Sequence, residues 1–145
     1  MERATVGGMD QRVSLVTLVV TDLAATRRFY VDGLGWEPLL EAPGEVLMVQ
    51  VGQHLVLSLW DEAHAVEEIG PVVRGGTAPL TLAHNVGAPA AVDAVLEDAR
   101  RAGAASVRDG VRREWGGYSG YFTDPDGFLW EVAHAPGPLG ELVVP

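Results

Sequence analysis

The stretch Gly116-Gly117-Tyr118-Ser119-Gly120-Tyr121-Phe122-Thr123-Asp124-Pro125-Asp126-Gly127-Phe128-Leu129-Trp130-Glu131-Val132 sets how the whole chain is read. Tyr118 to Thr123 is a short run of aromatic and β-branched residues, which suits a pleated strand. Asp124-Pro125-Asp126-Gly127 is a four-residue turn. Asp124 can bond its own downstream backbone, Pro125 pre-sets φ, and Gly127 completes the reversal. Phe128 to Val132 is a second run, so the whole predicts a hairpin. Glu131 sits inside that second strand among apolar neighbours. A carboxylate there is costly unless it is paired, coordinated or facing a wet cavity. Glu131 therefore marks the wall of a pocket rather than a dry core.

The hairpin closes a longer pattern. Leu80 to Asn85 reads as a strand. Pro89 opens a helix in which Val92, Val95, Leu96, Ala99 and Ala102 keep helical spacing, and Gly103 stops it. Val107 to Glu114 then reads as a strand. The first half of the chain repeats this order. Val13 to Val20 is a strand, and Thr21 or Asp22 caps a helix running to about Val31, ended by Gly33 and Gly35. Trp36 to Ala42, Val46 to Val51 and His54 to Trp60 are strands, the last two joined at Gly52-Gln53. Both halves therefore read β-α-β-β-β, an internal repeat of about 60 residues found by element order. The expected organisation is a flexible arm over residues 1–12, one domain over 13–134 and a tail over 135–145. The domain's modules cover 13–60 and 79–134, with a linker over 61–78 that holds one helical turn near 65–69. The tail carries Pro136, Pro138 and Pro145, so it cannot be an interior strand, and its apolar Leu142-Val143-Val144 can pack along the body or on a second subunit.

Composition removes several chemistries. The chain has 145 residues, 48% hydrophobic and 21% charged, in the ordinary range for one globular domain. It has no Cys, which excludes disulfides, thiolate metal sites and cysteine nucleophiles. Its ten basic residues are all Arg, so a Schiff-base or Walker-type lysine is excluded as well. An Arg-only basic set with abundant Ala, Gly and Val reads as GC-rich bacterial codon usage. The net charge of −10 argues against a nucleic-acid partner, which needs a basic face. No run is long enough to span a membrane, and the first residues lack the apolar core of a signal peptide, so the expected location is the cytoplasm.

Two β-α-β-β-β units can curl their sheets into a cup, with helices outside. The residues Val19-Val20-Thr21-Asp22-Leu23, Arg28-Phe29-Tyr30 and Gly33-Leu34-Gly35-Trp36 resemble the first half of the glyoxalase / bleomycin-resistance protein / extradiol-dioxygenase superfamily, also called vicinal oxygen chelate. Gly120 to Glu131 resembles its closing hairpin. The resemblance covers about residues 13–134. It implies an α+β fold in which two β-α-β-β-β modules form a curved mixed sheet around a central cavity. It does not single out a function, because the superfamily holds isomerases, dioxygenases and plain binding proteins. In its metal-using members, His, Glu or Gln from the first and last strand of each half converge on one divalent ion, leaving room for substrate oxygens. Carried over here, those positions fall at Leu15, near Ser58, at or beside Leu80, and at Glu131. Only Glu131 is a strong ligand, and one carboxylate does not hold a transition metal.

The expected function is therefore binding of a small, partly apolar molecule in the central cup, by a homodimer, with no cofactor and no membrane partner. Glu131 supplies an anionic contact, and a cationic ligand is compatible with it. Trp60, Trp115, Tyr118 and Tyr121 are the candidate pocket aromatics, with Ser58 beside Trp60 by strand parity. His84 is the candidate acid/base partner of Glu131. If Leu80 points inward, the two-residue period turns His84 inward too. The bland alternatives are core packing for each aromatic, a strand-end hydrogen bond for His84, and an ion pair with Arg112 or Arg113 for Glu131. Trp36 and Trp130 are expected against the helix layer or an interface, and His54, His64 and His134 at the surface. Asp124 and Asp126 are turn residues and not a catalytic dyad. The rival expectation is an enzyme, a glyoxalase-like lyase or a dioxygenase, in which His84 and Glu131 form an atypical divalent-metal or acid/base site.

Overall fold

The computed structural model describes residues 8–145, so most of the expected arm lies outside the described residues. The first module runs β1 (Leu15–Val20), α1 (Leu23–Arg27), a π-helical turn (Arg28–Gly33), β2 (Leu40–Ala42), β3 (Val46–Gly52), β4 (Leu55–Asp61) and α2 (Glu62–Ile69). The second runs β5 (Leu82–Asn85), α3 (Pro89–Ala102), β6 (Ser106–Arg112), β7 (Tyr118–Thr123), β8 (Leu129–His134) and α4 (Pro138–Val143). The strands form two four-stranded sheets of identical order, β1-β4-β3-β2 and β5-β8-β7-β6. In each, the first strand runs parallel to the last and the other pairs are antiparallel. The fold is α+β, two mixed sheets with helices outside them, and the sheets do not close into a barrel. The repeat extends one element further than expected, since each module's last strand leads into a short helix.

Local chemistry accounts for most boundaries. Asp22 caps α1, its side chain accepting from the Ala25 N–H at 3.0 Å. Pro89 sits in the first turn of α3, and Gly103 closes it in the left-handed region at φ 100°. Two expectations are corrected. The helix after Asp22 does not run on as an α-helix. It widens into the π turn, where the Leu34 N–H reaches back to the Phe29 carbonyl at 2.9 Å. Trp36 to Ala42 is not one strand, because the Trp36 N–H is spent on the Tyr30 carbonyl and Pro38 offers no N–H for a ladder. Only Leu40–Ala42 pairs, against β3.

One apolar core spans both modules. Leu18, Val20, Leu57 and Leu59 face it from the first sheet, Phe122, Trp130 and Val132 from the second, and Leu96 and Ala99 from α3. Gly33 lets the π turn touch α3, because a Cβ there would stand 2.6 Å from the Ala102 Cβ. A polar chain crosses the same interface. The Trp130 indole N–H donates to the Tyr30 hydroxyl at 2.9 Å, and that hydroxyl donates to Asp124 at 2.7 Å. Asp124 also accepts from the Asp126 and Phe128 N–H groups, so the Asp124–Gly127 hairpin turn docks one module on the other. Arg74, in the linker, reinforces this contact. It donates to Glu62, to Asp126 and to the Val19 carbonyl.

Candidate functional site

Strand register decides which predicted residues can meet. In β8, Trp130 and Val132 face the core while Glu131 faces the opposite side of the sheet. Glu131 is in register with Tyr121 on β7 and with Ala83 on β5. The Tyr121 hydroxyl donates to Glu131 Oε2 at 3.0 Å. Partial burial, and then the hydrogen bond to Glu131, raise the Tyr121 pKa above its ordinary value, so the phenol remains a donor. Neither Arg112 nor Arg113 forms the alternative ion pair with Glu131. Arg113 instead donates to the Ser119 hydroxyl at 2.9 Å and to the Ser119 carbonyl at 3.0 Å.

The candidate Glu131–His84 pair does not form. His84 is in register with Val132, so it lies on the core-facing side of the second sheet, across the sheet from Glu131. The sequence made the direction of His84 conditional on Leu80, which lies outside the paired strand that begins at Leu82. Tyr118 is on that core-facing side as well. Its hydroxyl donates to Asp93 on α3 at 2.7 Å, and its ring crosses Gly110. Ser58 and Trp60 share the open face of the first sheet with Thr17 and Val19, Ser58 being 3% exposed. Trp115 is exposed in the turn before β7, its ring laid over Gly117. Tyr121 and Glu131 are thus joined, Ser58 and Trp60 are neighbours on the other sheet, and His84, Tyr118 and Trp115 stand apart from both pairs. His54 and His64 are exposed, and His64 bonds Asp61.

A large cavity lies on the core-facing side. It is a cleft of about 850 Å³ between the two sheets, walled by Val16, Val49 and Leu57 from the first and Leu82 and His84 from the second, with Trp36 and Trp130 among its lining. His84, Trp36 and Trp130 also border an adjoining cavity of about 430 Å³ beside α3. Trp36 and Trp130 pack edge to face, 5.9 Å between ring centroids. Both tryptophans were expected against the helix layer, and they do pack there. Their second role as cleft wall had no signal in the sequence, because it depends on Trp36 leaving the strand register.

The donor set does not fit a divalent metal. Three of the four positions implied by the resemblance offer no strong donor, and Glu131 already binds Tyr121 through one oxygen. Among the described residues no three His, Asp or Glu side chains gather. A second copy of the chain would bring the same residue types to those positions.

The fold and this chain's residues have relatives. A family model for the glyoxalase/bleomycin resistance protein/dioxygenase superfamily matches residues 12–132. A glyoxalase-related enzyme from Fulvimarina pelagi is 36% identical, with a TM-score of 0.78, over 87% of this chain and 89% of that one. A glyoxalase/bleomycin resistance protein/dioxygenase from Nocardioides is 26% identical, with a TM-score of 0.73, over 93% of each chain. A lactoylglutathione lyase from Agrobacterium tumefaciens is 26% identical, with a TM-score of 0.67, over 87% of this chain and 95% of that one. No curated protein matches the chain. Family model, identity and shared architecture together place this chain in the glyoxalase/bleomycin resistance protein/dioxygenase superfamily.

Proposed function

We propose that the protein binds a small, partly apolar molecule in the cleft between its two modules, without a catalytic metal, and works as a homodimer in a bacterial cytoplasm. The cleft carries this reading. Its volume of about 850 Å³ is in the range of small-molecule sites, and its walls combine aliphatic and indole surface with the polar side chains of Glu37, Gln50, Gln53 and His84. Such a lining favours a ligand with an apolar body and polar groups placed to meet these side chains. Among the described residues no donor set assembles, which supports metal-independent action. Support for the bacterial setting comes from relatives in Agrobacterium tumefaciens.

The test is a thermal-shift screen of the full chain against small apolar and aromatic compounds, followed by the same hits on Leu82→Trp. Wild-type hits should raise Tm and change tryptophan fluorescence, and Leu82→Trp, which fills the cleft from a half-buried position, should lose them. No hit, or hits that survive Leu82→Trp, would overturn the cleft as the site. Stoichiometric metal in protein purified without chelator would overturn the metal-free part. A second reading, a lyase acting on this cleft, is favoured by the likeness to the lactoylglutathione lyase and by His84 at the rim. It predicts turnover that His84→Asn abolishes while ligand binding persists.

A further inference from the structure

Arg74 lies in the segment that joins α2 to β5, and it lines neither the cleft nor the cavity beside α3. Val73 next to it is 95% exposed, so burial does not anchor this part of the segment. Hydrogen bonds from the Arg74 guanidinium do. Its Nε donates to Glu62 at 2.7 Å, one terminal nitrogen to Asp126 at 2.7 Å, and the other to the Val19 carbonyl at 2.8 Å. A planar fork with fixed donor directions holds three acceptors in one geometry, which an ammonium point charge does not. Val19 and Glu62 belong to the first module and Asp126 to the second. No other ion pair among the described residues joins the two halves of the chain.

Asp126 makes this a buried anchor. Its side chain is 5% exposed, and it also accepts from the Thr21 N–H at 2.9 Å and the Thr21 hydroxyl at 2.5 Å. An exposed ion pair is worth little, whereas a carboxylate this buried is costly once its cation is removed. Among the described residues, the side-chain hydrogen bonds between the modules all end on Asp124, Asp126 or the Tyr30 hydroxyl. The first module's wall of the cleft lies at the other end of the same strands. Val16 of β1 and Leu57 of β4 are register partners and line it, whereas Val19, Thr21 and Glu62 sit where those parallel strands finish. From Val16 to Thr21 is about 16 Å of strand, at about 3.3 Å per residue. No strand pairs across the two sheets. The apolar core keeps the modules together, but burial is non-directional and leaves their angle open. The directional bonds that fix the angle gather around the Asp124–Gly127 turn, and a small rotation there is multiplied along the strands at the cleft.

We propose that Arg74 is a positioning residue that sets the width of the cleft: by fixing the angle between the modules it decides how large a ligand the cleft accepts, without touching the ligand. The pinned angle admits a compact, flat molecule and discriminates against a bulkier one. The ligand part of this proposal rests on the cleft being the binding site. The geometric part, that Arg74 holds the angle, does not.

Spin labels read the angle without a ligand. His54→Cys, between β3 and β4, and Ala90→Cys, on α3, are both exposed, and the chain has no cysteine of its own. The distance distribution between the labels should broaden in Arg74→Met. It should not change in Arg100→Met, which loses two ion pairs within the second module. Arg74→Lys should fall between, and Asp126→Asn, which keeps the shape and removes the charge, should broaden it too. Indole and the bulkier N-phenyl-1-naphthylamine then read the cleft by fluorescence titration of the unlabelled full chain. Arg74→Met should shift the ratio of their dissociation constants by about fivefold or more toward the bulkier probe, or admit that probe where wild type excludes it. Its circular dichroism should match wild type, and Arg74→Lys should restore part of the ratio. A merely destabilising change would weaken both probes alike. An unchanged distance distribution in Arg74→Met and Asp126→Asn, or an unchanged ratio in a wild-type background that binds the probes, would overturn the proposal and leave the cleft standing. Wild-type protein that binds neither probe would overturn the cleft reading, and size selection by Arg74 with it.

Discussion

Tyr30 does more for this molecule than any residue singled out for chemistry. It is fully buried, it receives the Trp130 indole N–H, and it donates to the buried Asp124. Burial, and after it the charge of Asp124, push its pKa well above the ordinary tyrosine value. The sign of the pH effect follows. A folded-state pKa above the unfolded one means that stability is whole below about pH 10 and declines as pH rises past it, since the unfolded chain gives up the proton first. Tyr118 and Tyr121 are raised in the same direction and add to the alkaline loss. Tyr30→Phe isolates the buried contribution. Near neutrality it should cost about 1–3 kcal/mol, because Asp124 and Trp130 each lose a buried partner. Above pH 10 its stability should fall less steeply than that of wild type. Urea melts across pH measure both, and parallel curves for the two proteins would show that Tyr30 ionisation plays no part.

Elements were legible where side-chain chemistry dictates backbone, and opaque where packing does. The Asp-Pro-Asp-Gly turn, the Asp22 cap and the Pro89–Gly103 helix are dictated by local bonding, and all three are found. The π turn was not readable, because Arg28 to Gly33 carries ordinary helix formers and widens only to seat Phe29 and Tyr30 against Phe122 and Trp130. The candidate site suffered more than the fold. Parity along a strand is reliable only once its first paired residue is known. Thus Tyr121 and Glu131 meet as their place in one hairpin suggests, whereas the direction of His84, conditional on Leu80, and that of Tyr118 needed the register, which sets both on the face opposite Glu131. The contact between the π turn and α3 gives its own prediction. Gly33→Ala sets a methyl 2.6 Å from the Ala102 Cβ and 2.9 Å from the Ala102 Cα, so helix and turn must separate. It should cost about 1–3 kcal/mol, as overpacking does. Gly87→Ala, which meets nothing within 4 Å, should change stability by no more than about 0.5 kcal/mol. Equal denaturant midpoints for the two variants would mean that the close approach is not what the glycine provides.

At the scale of the whole molecule, the two sheets differ in what their open faces offer. The second sheet presents Arg108, Arg113, Tyr121 and Glu131 with Val111 and Leu129 beside them, a mixed face with charges at its centre. The first presents Leu15, Leu40, Met48, Val56 and Trp60 around Thr17 and Ser58. Leu15 is 48% exposed and Leu40 50% exposed in the single chain. A four-stranded sheet with one face on the core and an apolar outer face has an unmet demand for burial, which solvent does not satisfy. A second copy of the chain is the occupant proposed here, since covering half-exposed leucines from both partners removes apolar area at about 25 cal/mol per Å². Electrostatics opposes this, because each copy carries a charge of −10 and like-charged copies repel. Salt therefore distinguishes an apolar interface from an ionic one. If the leucine face is the contact, added salt screens the repulsion and strengthens the dimer. Light scattering should accordingly give twice the 15.4 kDa chain mass, with dissociation on dilution that becomes harder at higher salt. The double variant Leu15→Asp, Leu40→Asp should run as a monomer with unchanged circular dichroism, and its Tm should no longer depend on protein concentration. A wild-type protein that stays monomeric at high concentration and high salt, or a double variant that stays dimeric, would move the interface elsewhere and leave the first sheet's leucines without a partner.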